Sequence, residues 1–258
     1  MASDRSSAGD PARTLALLWG VTAEERPGRR GPRQAKSPVE IAAAAIAIAD
    51  AEGVDAVTMR RVSQDLGVSP MALYTYVPGK AELLDLMLDT VYAAMPRSVP
   101  ADAGWRSRVT AVAEDNRALH RAHPWTVAVA TSRPPLGPGL MAKYEYELGA
   151  LAGTGLPDVE LDAALTHLLG FVETCARMAA DGRAARQESA MSDAQWWTAN
   201  AALLARVFDA ERYPVAARVG SAAGEAYGGA YNPDHAYAFG LARVLDGLAA
   251  LIEECREG

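Results

Sequence analysis

Apolar residues recur at three- and four-residue intervals along most of the chain, and proline, glycine and hydroxyl residues cut the pattern into segments. In "SPVEIAAAAIAIADAEG" Ile41, Ala45 and Ile48 share one face. Ser37 is placed as its N-cap, Pro38 as its first helical residue and Gly53 as its stop. Thr58 opens a second segment, "MRRVSQDLG", with Val62 and Leu66 pointing inward and Gly67 ending it. Ser69 and Pro70 open a third, whose inward pair is Leu73 and Val77. A fourth helix is predicted from near Gly79 to Pro96. Beyond Pro100 the punctuation predicts six more segments, near 103–122, 124–131, 137–152, 158–188, 193–210 and 233–256. The stretch "YPVAARVGSAAGEAYGGAYNP" between the last two reads as less regular. Period-two alternation and solenoid-length repeats are absent, so the fold class is all-α.

Three parts follow from this pattern. Residues 1–37 are rich in Ser, Gly, Pro and Arg and read as a flexible extension. Its apolar island, "LALLWG", is too short to stand alone as a helix and is expected to dock on the body through Trp19. Residues 38–84 form a three-helix unit, and 85–258 a larger helical domain.

Two short helices joined by a tight glycine turn make a helix-turn-helix, whose second helix enters the major groove of DNA. With Leu73 and Val77 in the core, the outer face of the reader helix carries Pro70, Met71, Ala72, Tyr74 and Tyr76. A tyrosine ring packs on sugar or a thymine methyl while its hydroxyl bonds phosphate. Lys80 opens the next helix, where free N–H groups already favour an anion. Thr58 offers its hydroxyl and helix-start N–H groups to phosphate, and Arg60, one turn in, is the candidate for a bidentate guanine contact. The alternatives are that Tyr74 and Tyr76 only pack, and that Arg61 is a solvated charge.

Charge agrees with that placement. The chain carries a net −7, divided as −2 over residues 1–25, +3 over 26–80 and −8 over 81–258. A basic segment on an acidic body fits a protein of which one part meets phosphate. Within it Arg26, Arg29, Arg30, Arg33 and Lys36 follow one another without an acid, either as an arm tracking the minor groove or as a plain tether. The polar N-terminus and the shortness of the apolar run at 41–49 lead to the expectation of a cytoplasmic protein with no membrane partner. Cys175 and Cys255 lie 80 positions apart in apolar contexts and are expected as buried, reduced thiols.

The run from Ile41 to Met95 resembles the N-terminal domain of the TetR family of transcriptional regulators, through "ADAEG", "LGVS", "LYTYV" and "GKAELLD". The resemblance implies a homodimer that binds a near-palindromic operator on double-stranded DNA, usually as a repressor, and releases it when a small-molecule effector enters the C-terminal domain. Carried over by position, the family's DNA contacts fall on Thr58, Met59, Arg60, Pro70, Met71, Ala72, Tyr74, Tyr76 and Lys80. Several members have a polar residue where Pro70 and Ala72 stand, so shape or methyl contacts replace hydrogen-bond readout there. "TSRPP" and the closing "FGLARVLDGLAALIEE" resemble the tetracycline-repressor C-terminal domain more loosely. In that branch a histidine ahead of the Arg-Pro pair helps hold a drug-bound magnesium ion. Here Val129 takes that place and Met95-Pro96 ends the fourth helix, so no metal site and no cofactor are expected.

For the larger half, apolar stripes on two helices predict a four-helix dimer interface: Phe239, Leu241, Val244, Leu245, Leu248 and Leu251 on one, Leu165, Leu168, Leu169 and Val172 on the other. The alternative is that both stripes fill the monomer core. Candidate ligand-pocket residues are Trp125, Arg133, Tyr144, His167, Phe171, Trp196, Trp197 and Phe208, chosen as large rings and lone charges in apolar context. His120 and His123 share a helix face without an evident third metal ligand. No nucleophile–base pair, carboxylate pair or phosphate loop supports an enzyme. A regulator of the same fold answering to a protein partner is the second reading.

Overall fold

The computed structural model describes residues 9–21, 36–100, 102–129, 133–229 and 231–257. Eleven α-helices and no strand occur among them: α1 (Pro11–Leu18), α2 (Pro38–Glu52), α3 (Met59–Asp65), α4 (Pro70–Tyr76), α5 (Lys80–Ala94), α6 (Trp105–Ala122), α7 (Pro138–Leu151), α8 (Asp158–Ser189), α9 (Asp193–Val207), α10 (Pro214–Tyr227) and α11 (Pro233–Glu257). A 3-10 turn, Pro124–Val127, follows α6 where a longer segment was expected. Arg26, Arg29, Arg30 and Arg33 of the basic arm lie outside the described residues.

Local chemistry accounts for the helix starts. Ser37 and Glu40 form a reciprocal capping box at α2, with Pro38 in its first turn. Thr58 Oγ1 accepts from Arg61 N at 3.1 Å, and Ser69 Oγ from Ala72 N at 3.2 Å, each satisfying a helix-start donor. Asp10 caps α1 in the same way. The apolar island docks as expected: Leu18 is buried, and Trp19 Nε1 donates to the Leu136 carbonyl at 2.8 Å.

Two apolar cores stack along the molecule. The first gathers Ile41, Ala45 and Ile48 of α2, Val62 of α3, Leu73 and Val77 around α4, and Leu83, Leu84, Met87 and Leu88 of α5. The second joins Val109 and Val112 of α6, Ala150 and Leu151 of α7, Leu165, Leu168 and Val172 of α8, and Leu241, Leu245, Leu248 and Ile252 of α11. The predicted stripes of α8 and α11 are therefore largely inside the monomer, while Phe239 stays exposed and Leu169, Val244 and Leu251 are partly buried. Among the described residues α11 is the one helix long and apolar enough to cross a membrane; 28% of its most apolar window is buried, against the helical body.

The α5–α7 junction joins the two halves. Asp89 of α5 accepts from Gly139 N at 3.1 Å and Leu140 N at 2.8 Å, capping α7 from outside. A Cβ on Gly139 would collide with the Asp89 carbonyl, so glycine is what permits this approach. Burial raises the Asp89 pKa, and the two N–H donors counter it.

Two expectations need correction. Residues 214–227 are the regular helix α10, which buries no residue and carries Gly220 and Gly224 inside it. Both cysteines are free, but neither is buried: Cys175 on α8 is half-buried and Cys255, near the end of α11, is exposed.

Candidate nucleic-acid interface and an open cavity

The turn between α3 and α4 depends on Gly67. Its φ of 67° is left-handed; Gly67 N donates to Gln64 O at 3.2 Å and Val68 N to Ser63 O at 3.0 Å. This is a Schellman closure, which spends the last carbonyls of α3 and reverses the chain within two residues. Ser69 then starts α4 at once. Leu73 and Val77, each 0% exposed, hold α4 to the core from behind.

The opposite face is open. Met71 is 76% and Tyr74 47% exposed; Pro70 is exposed and Ala72 half-buried. Tyr76 is half-buried with its ring against the first core, so part of it does pack. Thr58 is exposed, and since its oxygen accepts from Arg61 N, its O–H remains available to donate. Arg60 is exposed with no ion-pair partner among the described residues. Arg61, by contrast, is held by Glu52 through contacts of 2.7 and 3.3 Å. Lys80 is half-buried in the first turn of α5. Met59 needs correction: its side chain is buried in the first core, leaving only its backbone N–H at the open helix start.

A cavity of about 510 Å³ lies between α6, α8, the start of α9 and the start of α11. Arg117, His120 and Arg121 face it from α6, a face of α8 from Cys175 to Ser189, Trp196 from α9, and Tyr231 with Tyr237 from the α11 end. Arg117 lies 3.9 Å above the Tyr237 ring and pairs with Asp234. Burial, ahead of Glu114, drives the Tyr237 pKa upward. Burial also raises that of the Cys175 thiol, against the pull of Arg117, and so favours its protonated form.

His120 connects this cavity to the first core. Burial, with Lys143 and Arg177 nearby, lowers its pKa to about 4, so the ring is neutral. Thr126 Oγ1 donates to the His123 carbonyl at 2.7 Å and must therefore accept from His120 Nδ1–H at 2.8 Å. Nε2 is left as an acceptor. At the far end of the same turn, His123 Nδ1 and Trp125 Nε1 donate to Asp50 of α2 at 2.9 and 2.8 Å.

Of the predicted pocket residues, Trp196 lines the cavity; the other seven do not. Trp125 is buried in the first core and committed to Asp50. Arg133 and His167 are exposed. Tyr144 is on the surface, bonded to Asp162 at 2.7 Å. Phe171 stacks behind Tyr237, its ring against Gly240. Trp197 packs on Gly224, and Phe208 on Tyr213 at the end of α9. Sequence reasoning missed the arginines and the small residues of α8; their signal is the basic, small-residue face that follows Val172 at helical spacing. His120 and His123 part company, and no His/Cys/Asp/Glu group suited to a metal occurs among the described residues.

Comparison with known proteins gives this geometry its setting. Residues 41–87 match the bacterial regulatory proteins of the tetR family, and 99–252 the tetracyclin repressor-like C-terminal domain. The HTH-type transcriptional repressor DrrR1 of Streptomyces coeruleorubidus is 42% identical over 257 residues, covering 98% of this chain and 91% of that protein. Apo ActR from Streptomyces coelicolor superposes with a TM-score of 0.69 at 27% identity, over 85% of this chain and 97% of its own. ActR in complex with actinorhodin gives 0.69 at 26% identity, over 83% and 96%. A glycine-closed reader helix, a second helical core and matches to both family domains lead to one conclusion: the chain belongs to the TetR family, and it is a transcriptional regulator rather than an enzyme.

Proposed function

We propose that the protein is a ligand-responsive repressor that acts in the cytoplasm as a homodimer and leaves its near-palindromic operator when a small molecule fills the cavity. The observation that carries this reading is the cavity itself, about 510 Å³, within the range of small-molecule sites, and tied through His120, Thr126 and the 123–125 turn to Asp50 of the DNA-side helix α2. DrrR1 is a repressor, and ActR binds actinorhodin; both support it.

DNA contact falls on Pro70, Met71, Ala72, Tyr74 and the edge of Tyr76 in the groove, with Thr58, the Met59 N–H and Lys80 on phosphate. Arg60 reads a base. One reader helix binds weakly, so two are needed, a helical turn apart. The open face of α11 around Phe239, with Val244 and Leu251, is where a second copy packs.

The test is selection of binding sites from random duplex DNA by the purified protein. Two half-sites with centres about 34–36 Å apart are expected. Arg60→Ala is expected to relax selectivity at one base pair per half-site by about 1–3 kcal/mol. Unchanged base preference in that variant removes Arg60 from the reading, and a single unpaired half-site removes the dimer.

A further inference from the structure

The cavity carries more positive charge than a neutral effector requires. Arg117, Arg121, Arg183 and Arg186 line it against Asp193 and Asp234, and His120 is neutral, leaving an excess of two positive charges. Three of the arginines already have carboxylates. Arg117 and Arg121 share Asp234, and Arg186 pairs with Asp193 at 2.8 Å. Arg183 is half-buried and has no hydrogen-bond or ion-pair partner among the described residues. A guanidinium does not lose its proton, so partial burial without an anion leaves its charge poorly compensated.

Shape adds a second constraint. α8 presents Ala179 and Gly182 to the cavity, whereas α9 and the α11 end present Trp196 and Tyr231. Small residues leave the α8 surface open to a flat body, and rings favour stacking against one.

We propose that the effector is a planar aromatic acid whose carboxylate pairs with Arg183. The fork of the guanidinium matches a carboxylate in two parallel hydrogen bonds. The rings lie along Ala179 and Gly182 against Trp196, and a ring hydroxyl donates to His120 Nε2. This assignment rests on the reading of the cavity as the effector site.

The experiment is calorimetric titration of the full-length protein with three probes: anthraquinone carboxylate and its neutral hydroxymethyl and cationic aminomethyl counterparts. The acid is expected to bind at least about tenfold more tightly than either. Arg183→Ala is expected to weaken the acid about tenfold and leave the neutral probe within about twofold, with Arg183→Lys in between. A Cβ at Gly182 meets only Arg186 Nη1, at 3.5 Å, so Gly182→Trp fills the cavity and is expected to lose all three probes; melting curves by circular dichroism check that it folds. If the neutral or cationic probe equals the acid, or Arg183→Ala is indifferent, while Gly182→Trp abolishes binding, the acid assignment falls and the effector site stands. If no probe binds, or binding survives in a folded Gly182→Trp, both fall.

Discussion

Replacing Glu147 with leucine strands a cation in the second half of the protein. Lys143 and Glu147 are one turn apart on α7, 6% and 2% exposed, with Nζ and Oε1 2.6 Å apart. Asn116 Nδ2 donates to the same oxygen at 2.6 Å, and the Tyr92 ring lies 5.4 Å from the ammonium. In Glu147→Leu the buried ammonium loses its one anionic partner among the described residues, and breaking such a pair costs about 3–5 kcal/mol. Lys143→Met costs nearer to about 3 kcal/mol, because Asn116 still solvates the carboxylate. The double variant removes both charges, and Asn116 keeps the Val112 carbonyl at 2.9 Å; it is expected within about 1 kcal/mol of the parent. Urea unfolding followed by far-UV circular dichroism, at one fixed protein concentration, reads all four corners. pH supplies an independent check. Desolvation lowers the Lys143 pKa and Glu147 opposes that; without Glu147 the folded value drops further. A base whose folded pKa lies below its unfolded value gains stability as pH rises between the two. Glu147→Leu should therefore recover part of its deficit in mildly alkaline buffer, and the double variant should not. Single variants that cost under about 1 kcal/mol, or a double variant that costs the sum of the singles, refute the buried-pair reasoning.

Three further outcomes are expected. Leu73→Ala, behind the reader helix, should lose about 2–5 kcal/mol in the same melt, while Met71→Ala on the open face should change stability by under about 0.5 kcal/mol and weaken operator binding; equal melts for the two would overturn the orientation of α4. The His120 pKa of about 4 lies below the usual 6.5, so its contribution is complete above the unfolded value and is lost as pH falls to the folded one, roughly 3 kcal/mol in all. The parent should thus lose that much more stability on acidification than His120→Gln, and parallel pH profiles would remove the neutral imidazole. Asp50→Asn, which keeps the size of the side chain, should bind operator as the parent does but release it less on effector addition, measured by anisotropy of labelled DNA; parent-like release would show that the signal bypasses the latch at Asp50.

Features written within a few residues were legible in the sequence; features assembled across the chain were not. The caps at Ser37, Thr58 and Ser69 and the inward pair Leu73 and Val77 depend on neighbours three or four positions away, and each lies where expected. α10 escaped because Gly220, Gly224 and Gly228 in one short stretch read as breaks, although its apolar residues do gather on one face. The cavity escaped for a different reason. Bulky aromatics are the sequence's natural candidates for its walls, but Phe171 and Trp125 are committed to neighbouring contacts, against Tyr237 and Asp50. Space for a ligand exists where side chains are small, and Ala179 and Gly182 give it by omission. Arg117 and Arg183 meet there from helices far apart in sequence, a convergence no local pattern records.

Two carboxylates on the DNA-side helices grip the sensor side, and they differ in what they allow. At Asp89 the α5 carbonyl meets Gly139 so closely that a single methyl would not fit, and the carboxylate fixes two backbone donors of α7. Sliding there would break packing and hydrogen bonds together, so the junction resists displacement. At Asp50 the grip is made by side chains alone, the ring nitrogens of His123 and Trp125, and the His123 pair is about a quarter to a third exposed. The His123 bond can re-form after a small shift at little cost, since water reaches both partners, whereas Trp125 is buried and carries the turn's packing with it. Under the proposed effector reading, a ligand that draws on His120 would pull Thr126 and the 123–125 turn, and that turn would move Asp50 while Asp89 holds α7. With one attachment fixed and the other displaced, α2 would on that reading rotate instead of translate, and α4, packed in the same core, would swing with it. For a dimer reading two half-sites on one face of the duplex, a rotation of each reader changes their separation, and separation is the quantity a palindrome tests.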